Sequence, residues 1–128
     1  MQFYIAKTVN DEFGVVLERV KEALKGEGFG VLTDIDVRAT MKQNLNLDFR
    51  DYRILGACNP PLAHQALSVE DKIGTMLPCN VIVQNLGNGQ IEVAAINPVA
   101  TMANVGNPKL SKLADTVAGK LKNVISAI

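Results

Sequence analysis

The sequence predicts an α+β fold: a single, largely antiparallel sheet with helices on one face, in the order β-α-β(4)-α with short helices inserted. Three observations predict it. Near the start, Phe13, Val16, Leu17, Val20 and Leu24 recur at i, i+3, i+4, i+7 and i+11, one stripe of a helix between two β-prone stretches. In the middle, NVIVQN and QIEVAAI flank a turn built from Gly87, Asn88 and Gly89, the clearest hairpin in the chain. At the end, Leu110, Leu113, Ala114, Val117, Leu121, Val124, Ile125 and Ile128 form a second apolar helical stripe. Helices at both ends of a run of strands imply one sheet covered on one side.

The elements follow in order. Residues 2–9 are apolar and β-prone, a first strand. Asn10 is expected to cap the first helix, with Asp11 and Glu12 suiting its first-turn dipole and Gly26 and Gly28 ending it. Phe29, Val31, Thr33, Ile35 and Val37 then alternate with Gly30, Leu32, Asp34 and Asp36, a period-two strand with Asp36 near its end. RATMKQNL makes two helical turns, residues 48–51 loop, and YRILGAC is a third strand. Asn59 caps a helix opened by Pro60 and Pro61, because the N–H that proline lacks is not needed in a first turn. Its apolar side is Leu62, Ala63, Ala66 and Leu67. Ser68 is expected to start another short helix with Asp71 at capping-box spacing, with Ile73, Met76 and Leu77 inward and Pro78 as its stop. After the hairpin, NPVATMANVG connects to the last helix, capped by Asn107 with Pro108 in its first turn. The glycines of the hairpin turn are not a phosphate loop, because no helix follows them.

The chain of 128 residues suits one domain, residues 1–128, large enough to bury a core without disulfide or metal. Thirteen basic residues balance thirteen acidic ones, so long-range attraction to nucleic acid or an anionic membrane is not favoured. The lack of Trp argues against base-stacking platforms. Two cysteines do not make a disulfide scaffold. The first residues carry no signal-peptide pattern and no run is long enough to span a membrane, so the expected location is the cytoplasm, with reduced thiols.

The segments EGFGVLTDIDV, YRILGACNPPLAHQAL and LPCNVIV, taken together and in order, resemble the domain-of-unknown-function 302 family. The resemblance runs from the first strand to the last helix and is carried by Asp36, Gly56, Cys58, Asn59, Pro60, His64, Pro78, Cys79 and Asn80. It implies a TATA-box-binding-protein-like architecture and a homodimer. It implies no function, and the architectural name carries no inference of DNA binding.

Chemistry has one place to gather. Each cysteine is followed by asparagine, Cys58-Asn59 and Cys79-Asn80, and the only histidine, His64, lies between the pairs. If the third and fourth strands are antiparallel, Cys58 and Cys79 share one edge of the sheet, and His64 is near enough along the chain to join them. Three readings stand. In the first, which carries the most weight, the thiols pack as small hydrophobes, the asparagines satisfy backbone and His64 bonds a carbonyl. In the second, two thiolates and an imidazole hold zinc or Cu(I), completed by water, Asp36, Met76, Met102 or a partner residue, although C-x5-H-x14-C is not a recognised metal spacing. In the third, Cys58, just before a helix N-terminus, is a nucleophile with His64 as its base. Asp34 and Asp36 share a strand face and are expected on the solvent side.

The expected function is a non-catalytic module for a small ligand or metal, with Cys58, Asn59, His64, Cys79, Asn80 and Asp36 as candidate ligand-binding residues and no cofactor required. The alternatives are a thiol-dependent enzyme and a purely structural or partner-docking dimer. Self-association is expected because the hairpin is apolar on both alternating sets, with Val81, Val83 and Ile82 on one strand and Ile91, Val93, Ala95, Ala94 and Ile96 on the other. Helices on one face leave one set open to water.

Overall fold

The computed structural model describes residues 1–128. Five strands, β1 (Tyr4–Asn10), β2 (Gly30–Asp36), β3 (Tyr52–Cys58), β4 (Cys79–Gly87) and β5 (Gln90–Ile96), form one sheet in the order β1-β5-β4-β3-β2. Every neighbouring pair is antiparallel. The helices are α1 (Phe13–Gly26), α2 (Val37–Leu45), α3 (Pro60–Val69), α4 (Pro98–Met102) and α5 (Lys109–Ser126), with short 3-10 turns at Asp71–Met76 and Ala103–Val105. The fold class is the one the sequence predicts.

The two helical stripes cover one face of this sheet. Val16, Val20 and Leu24 of α1 and Leu121 and Val124 of α5 are completely buried, as are Leu55, Val81, Val83 and Val93 beneath them. Burying each such side chain contributes about 1.5–3 kcal/mol, so this layer is the main source of stability. The opposite face contributes no residue to that buried cluster. Ala6, Ala94, Ile82, Ile54 and Ile35 stand side by side there in strand register, one from each of the five strands. Ile54 and Ile82 are half-buried and Ile35 is exposed.

The second strand departs from strict alternation. The pairing with β3 shifts between Val31 and Thr33, so Leu32 is an extra residue in the ladder. The bulge reverses the phase. Val31 packs against the core, but Thr33 and Ile35 fall on the open face, and Asp34 and Asp36 turn to the helix side, where Asp34 meets Lys21 of α1 at 3.3 Å.

Other local expectations change for identifiable reasons. Asn10 does not cap α1, because it is still paired with Gln90 in the sheet. Asp11 takes the local role instead: its carboxylate accepts from the Glu12 N–H at 2.8 Å and pairs with Arg19 at 2.9 Å, and these contacts, the backbone one first, hold the carboxyl below its ordinary range. Ser68 opens no helix; it lies inside α3 and its hydroxyl donates to the His64 carbonyl at 2.7 Å. Met76 is exposed, not inward, because Asp71–Met76 winds as a 3-10 turn and changes the phase of its inward side. The connection NPVATMANVG contains α4, too short for a periodic signal.

Three Asn-Pro pairs share one design. The side-chain oxygens of Asn59, Asn97 and Asn107 accept from the N–H groups of Leu62, Val99 and Lys109, at the starts of α3, α4 and α5. The side-chain nitrogens of the same residues donate to the distant carbonyls of Glu27, Gln2 and Val69. Asn59 and Asn97 thus cap their helices, Asn107 holds the first N–H of α5 from one residue before its cap, and all three fasten the helix start to another part of the chain.

Candidate functional site

At the end of the sheet where β3 leaves and β4 enters, the chain must pass through α3 and the 3-10 turn before it returns. That detour encloses space. Ala57 pairs with Cys79 across the two strands, so Cys58 lies one residue beyond the pair. Leu62, Ala63, Ala66 and Leu67, the apolar side of α3, form one wall, and Leu110, Leu113, Ala114 and Val117 at the start of α5 form another. Met102 of α4 and Leu77 close the end. The result is a cavity of about 290 Å³, at the lower end of the range for small-molecule sites. Two exposed leucines, Leu32 at 68% and Leu67 at 44%, also line it.

Both thiols line this cavity, and both are free. Cys79 is buried and Cys58 is partly exposed. Burial pushes the Cys79 thiol up to about 11, with the neighbouring Cys58 adding to the effect. At neutral pH Cys79 is therefore a thiol, not a thiolate. Asn59 supplies the only side-chain nitrogen and oxygen in the lining. Both are occupied, the oxygen by the Leu62 N–H and the nitrogen by the Glu27 carbonyl, each at 3.4 Å. What the cavity presents to a visitor is hydrocarbon and sulfur.

Pro78 and Gly56 shape the sheet next to it. The Leu77–Pro78 bond is cis, and the proline ring lies over Gly56. A Cβ at Gly56 would run into Thr33 Oγ1 and come within 2.9 Å of Pro78 Cγ. Glycine is needed here for close approach.

The remaining residues singled out from sequence lie elsewhere. His64 does not join the cysteines. It follows Ala63 by one residue, about 100° round the helix, and opens onto a different groove of about 550 Å³ with Gln65, Ser68, Lys109 and Lys112. His64 is exposed. Asp36 is at the opposite end of β3: it pairs with Arg53, whereas Cys58 pairs with Gly30. Its carboxylate caps α2 by accepting from the Ala39 N–H at 3.0 Å and lies 3.5 Å from Arg53 Nη2. Asn80 follows Cys79 in β4, so it points to the open face, where it pairs with Gly56. No group of three or more His, Cys, Asp or Glu side chains is placed to hold a metal ion. The expected cluster thus separates into a thiol pair with its cap, Cys58, Asn59 and Cys79, and three residues with other surroundings.

Sequence reasoning missed the far wall. Leu110, Leu113 and Val117 line the cavity, yet they read as core; Met102, which the sequence offers only as one possible metal donor, lines it with them. A signal was present: the α5 stripe begins at Leu110, well before the residues that meet the sheet core, Leu121, Val124 and Ile125. A second depression of about 410 Å³, between the α4 connection and α5, shares Met102, Leu110 and Ala114 but contains no titratable side chain.

The family model described as domain of unknown function DUF302 matches residues 5–128. Among solved structures, the chain is similar to an uncharacterized conserved protein DUF302 from Bacillus stearothermophilus: 28% identity over 99% of this chain and 98% of that one, with a TM-score of 0.91. No curated protein matches the chain. No helix is long and apolar enough to cross a membrane.

Proposed function

The chain belongs to the DUF302 family, and on that premise we propose that it is a non-catalytic module that binds a small apolar ligand in the cavity between α3, α5 and the β3–β4 end of the sheet. One observation carries the reading. Fourteen of the sixteen lining residues are hydrophobic, and the one amide side chain among them has its hydrogen bonds already made. A polar or charged ligand that cannot bond to sulfur would lose its hydration there without compensation. An apolar one would gain about 25 cal/mol per Å² of surface removed from water. Catalysis by the thiols is disfavoured, because Cys79 holds its proton and His64 opens onto another groove.

The test is a titration of the protein with indole, followed by methyl NMR. Saturable shifts confined to Ala63, Ala66, Leu113 and Val117 at millimolar indole are expected, with Ala63→Trp abolishing them. Shifts scattered over the surface, or none, refute the reading.

We propose further that the module is a homodimer that buries the open face of the sheet, with the TATA-box-binding-protein-like arrangement as its architectural frame and the reducing cytoplasm as its compartment. The apolar row Ala6, Ala94, Ile82, Ile54 and Ile35, in which Ala6 and Ile35 are exposed and Ile54 and Ile82 half-buried, supports this, and Phe3, Tyr4 and Ile96 extend the apolar area. Light scattering at micromolar concentration should give twice the 13.8 kDa chain mass, and Ile82→Asp should halve it. A monomer in the unsubstituted protein refutes the dimer.

A further inference from the structure

The cavity holds an unusual set of donor atoms. Cys58 and Cys79, on adjacent strands, and Met102, on the facing α4, are the sulfur-bearing residues of its lining. No carboxylate, imidazole or amine lines it. Hard cations such as calcium or magnesium need oxygen ligands and find none here. Zinc in structural sites asks for four nitrogen, sulfur or carboxylate donors, and no third His, Cys, Asp or Glu is in place. Soft monovalent copper is the ion that thiolate and thioether sulfur select, and two thiolates suffice to hold it.

We propose that Cys58 and Cys79 bind a single Cu(I) ion between their sulfurs, with Met102 as a weaker third donor. The inference rests on the reading of this cavity as the binding site and names a second class of ligand for it. The step balances without a redox partner: two thiols and one Cu(I) give a bis-thiolate complex and two released protons, and copper stays monovalent throughout. Cys58 is the more exposed of the two thiols and the one an incoming ion meets first; Cys79 is the buried one. The complex carries one negative charge. It lies just before the N-terminus of α3, whose dipole offsets part of that charge.

The experiment is an anaerobic competition titration of the full-length protein against bathocuproine disulfonate, a coloured Cu(I) chelator. One Cu(I) per chain should transfer to the protein. Cys58→Ser and Cys79→Ser should each weaken binding by about a hundredfold or more, and Met102→Leu by about tenfold or less, as expected for ligands of unequal strength. Cys58 is partly exposed, so Cys58→Ser keeps its fold and decides the matter even if Cys79→Ser is unstable. The proposal is overturned if the chelator keeps all the copper, or if Cys58→Ser binds as tightly as the unsubstituted protein. Indole binding measured on the same samples separates the two readings: localised methyl shifts alongside a failed copper titration remove the ion and leave the apolar cavity standing.

Discussion

Leu55 and Ile54 are adjacent in β3 and belong to different worlds. Leu55 faces α1 and α5 and is completely buried; Ile54 faces away and is only half-buried. The same contrast runs along the hairpin, with Val81 and Val83 covered and Ile82 between them on the open side. Both faces are apolar, yet they are built differently. The covered face is hydrocarbon over β3, β4 and β5 and carries charge at its β2 edge, where Asp34 meets Lys21 and Arg53. The open face ends in a polar border, where Arg50 donates to Gln84 at 2.9 Å, Gln84 donates to Glu92 at 2.8 Å, and Arg50 lies 4.5 Å from the Phe49 ring centre. An apolar centre with a polar rim is the layout of protein–protein interfaces.

The largest expected effect tests that contrast directly. Leu55→Ala should lower the unfolding free energy by about 2–5 kcal/mol, because it opens a cavity in a packed layer. Ile54→Ala should cost about 1 kcal/mol or less in the monomer, since its side chain already meets water. Urea unfolding of both variants at a concentration low enough to dissociate a dimer makes the comparison. Equal costs would mean that the open face is covered within the chain and would remove the reason for a partner there.

How much of this was legible depends on period and length. The long stripes of α1 and α5 and the Gly87-Asn88-Gly89 turn declare themselves, because many residues agree on one period. The alternation of β4 and β5 shows which residues share a face, but not which face receives the helices, since both sets are apolar. The reversal in β2 was hidden, because one extra residue at Leu32 sends Thr33 and Ile35 to the other side without changing the composition. The cavity was half legible. Leu62, Ala63, Ala66 and Leu67 mark one side of α3, and His64 falls off that side by simple helical phase. Proximity in sequence to Cys58 outweighed the phase, and that was the error.

A second comparison lies within the thiol pair. In the unfolded chain a cysteine ionises near pH 8.5, whereas folded Cys79 holds its proton to about 11, through burial first and its neighbour Cys58 second. Below about pH 8.5 both states hold the proton and stability is unaffected. As pH rises from there to about 11 the unfolded state loses it while the folded state does not, so stability falls, by about 3–3.5 kcal/mol in total. Urea midpoints at rising pH should fall more steeply for the unsubstituted protein than for Cys79→Ala. Parallel curves would show that the Cys79 thiol is not desolvated. In the native protein iodoacetamide should label Cys58 well before Cys79, which only local opening exposes.

Gly56 sharpens the contrast where the two faces meet the cavity. Gly56→Ala places a methyl group against Thr33 and Pro78, and should cost about 1–3 kcal/mol as an overpacked site. Thr33→Ala in the same chain should recover part of the loss, because it removes the nearer obstacle and leaves the proline. Absence of any recovery would place the strain on Pro78 alone.

The smallest effect concerns Asn59, which joins the cavity to the rest of the fold. Its two hydrogen bonds are long, both at 3.4 Å, so neither is strong. Asn59→Ala removes the cap of α3 and the tie to Glu27 together, and should cost about 1 kcal/mol, typical of a lost N-cap. Asn59→Ser keeps an oxygen for the Leu62 N–H but has no amide to reach the Glu27 carbonyl. If the cap carries the stability, serine should recover most of the loss, leaving a cost below about 0.5 kcal/mol. If serine is as costly as alanine, the tie to the α1–β2 turn is the stabilising contact. Asn59 would then act chiefly by holding the Cys58 end of β3 against the body of the protein, and the cavity should loosen with it, seen as weaker indole shifts in both variants.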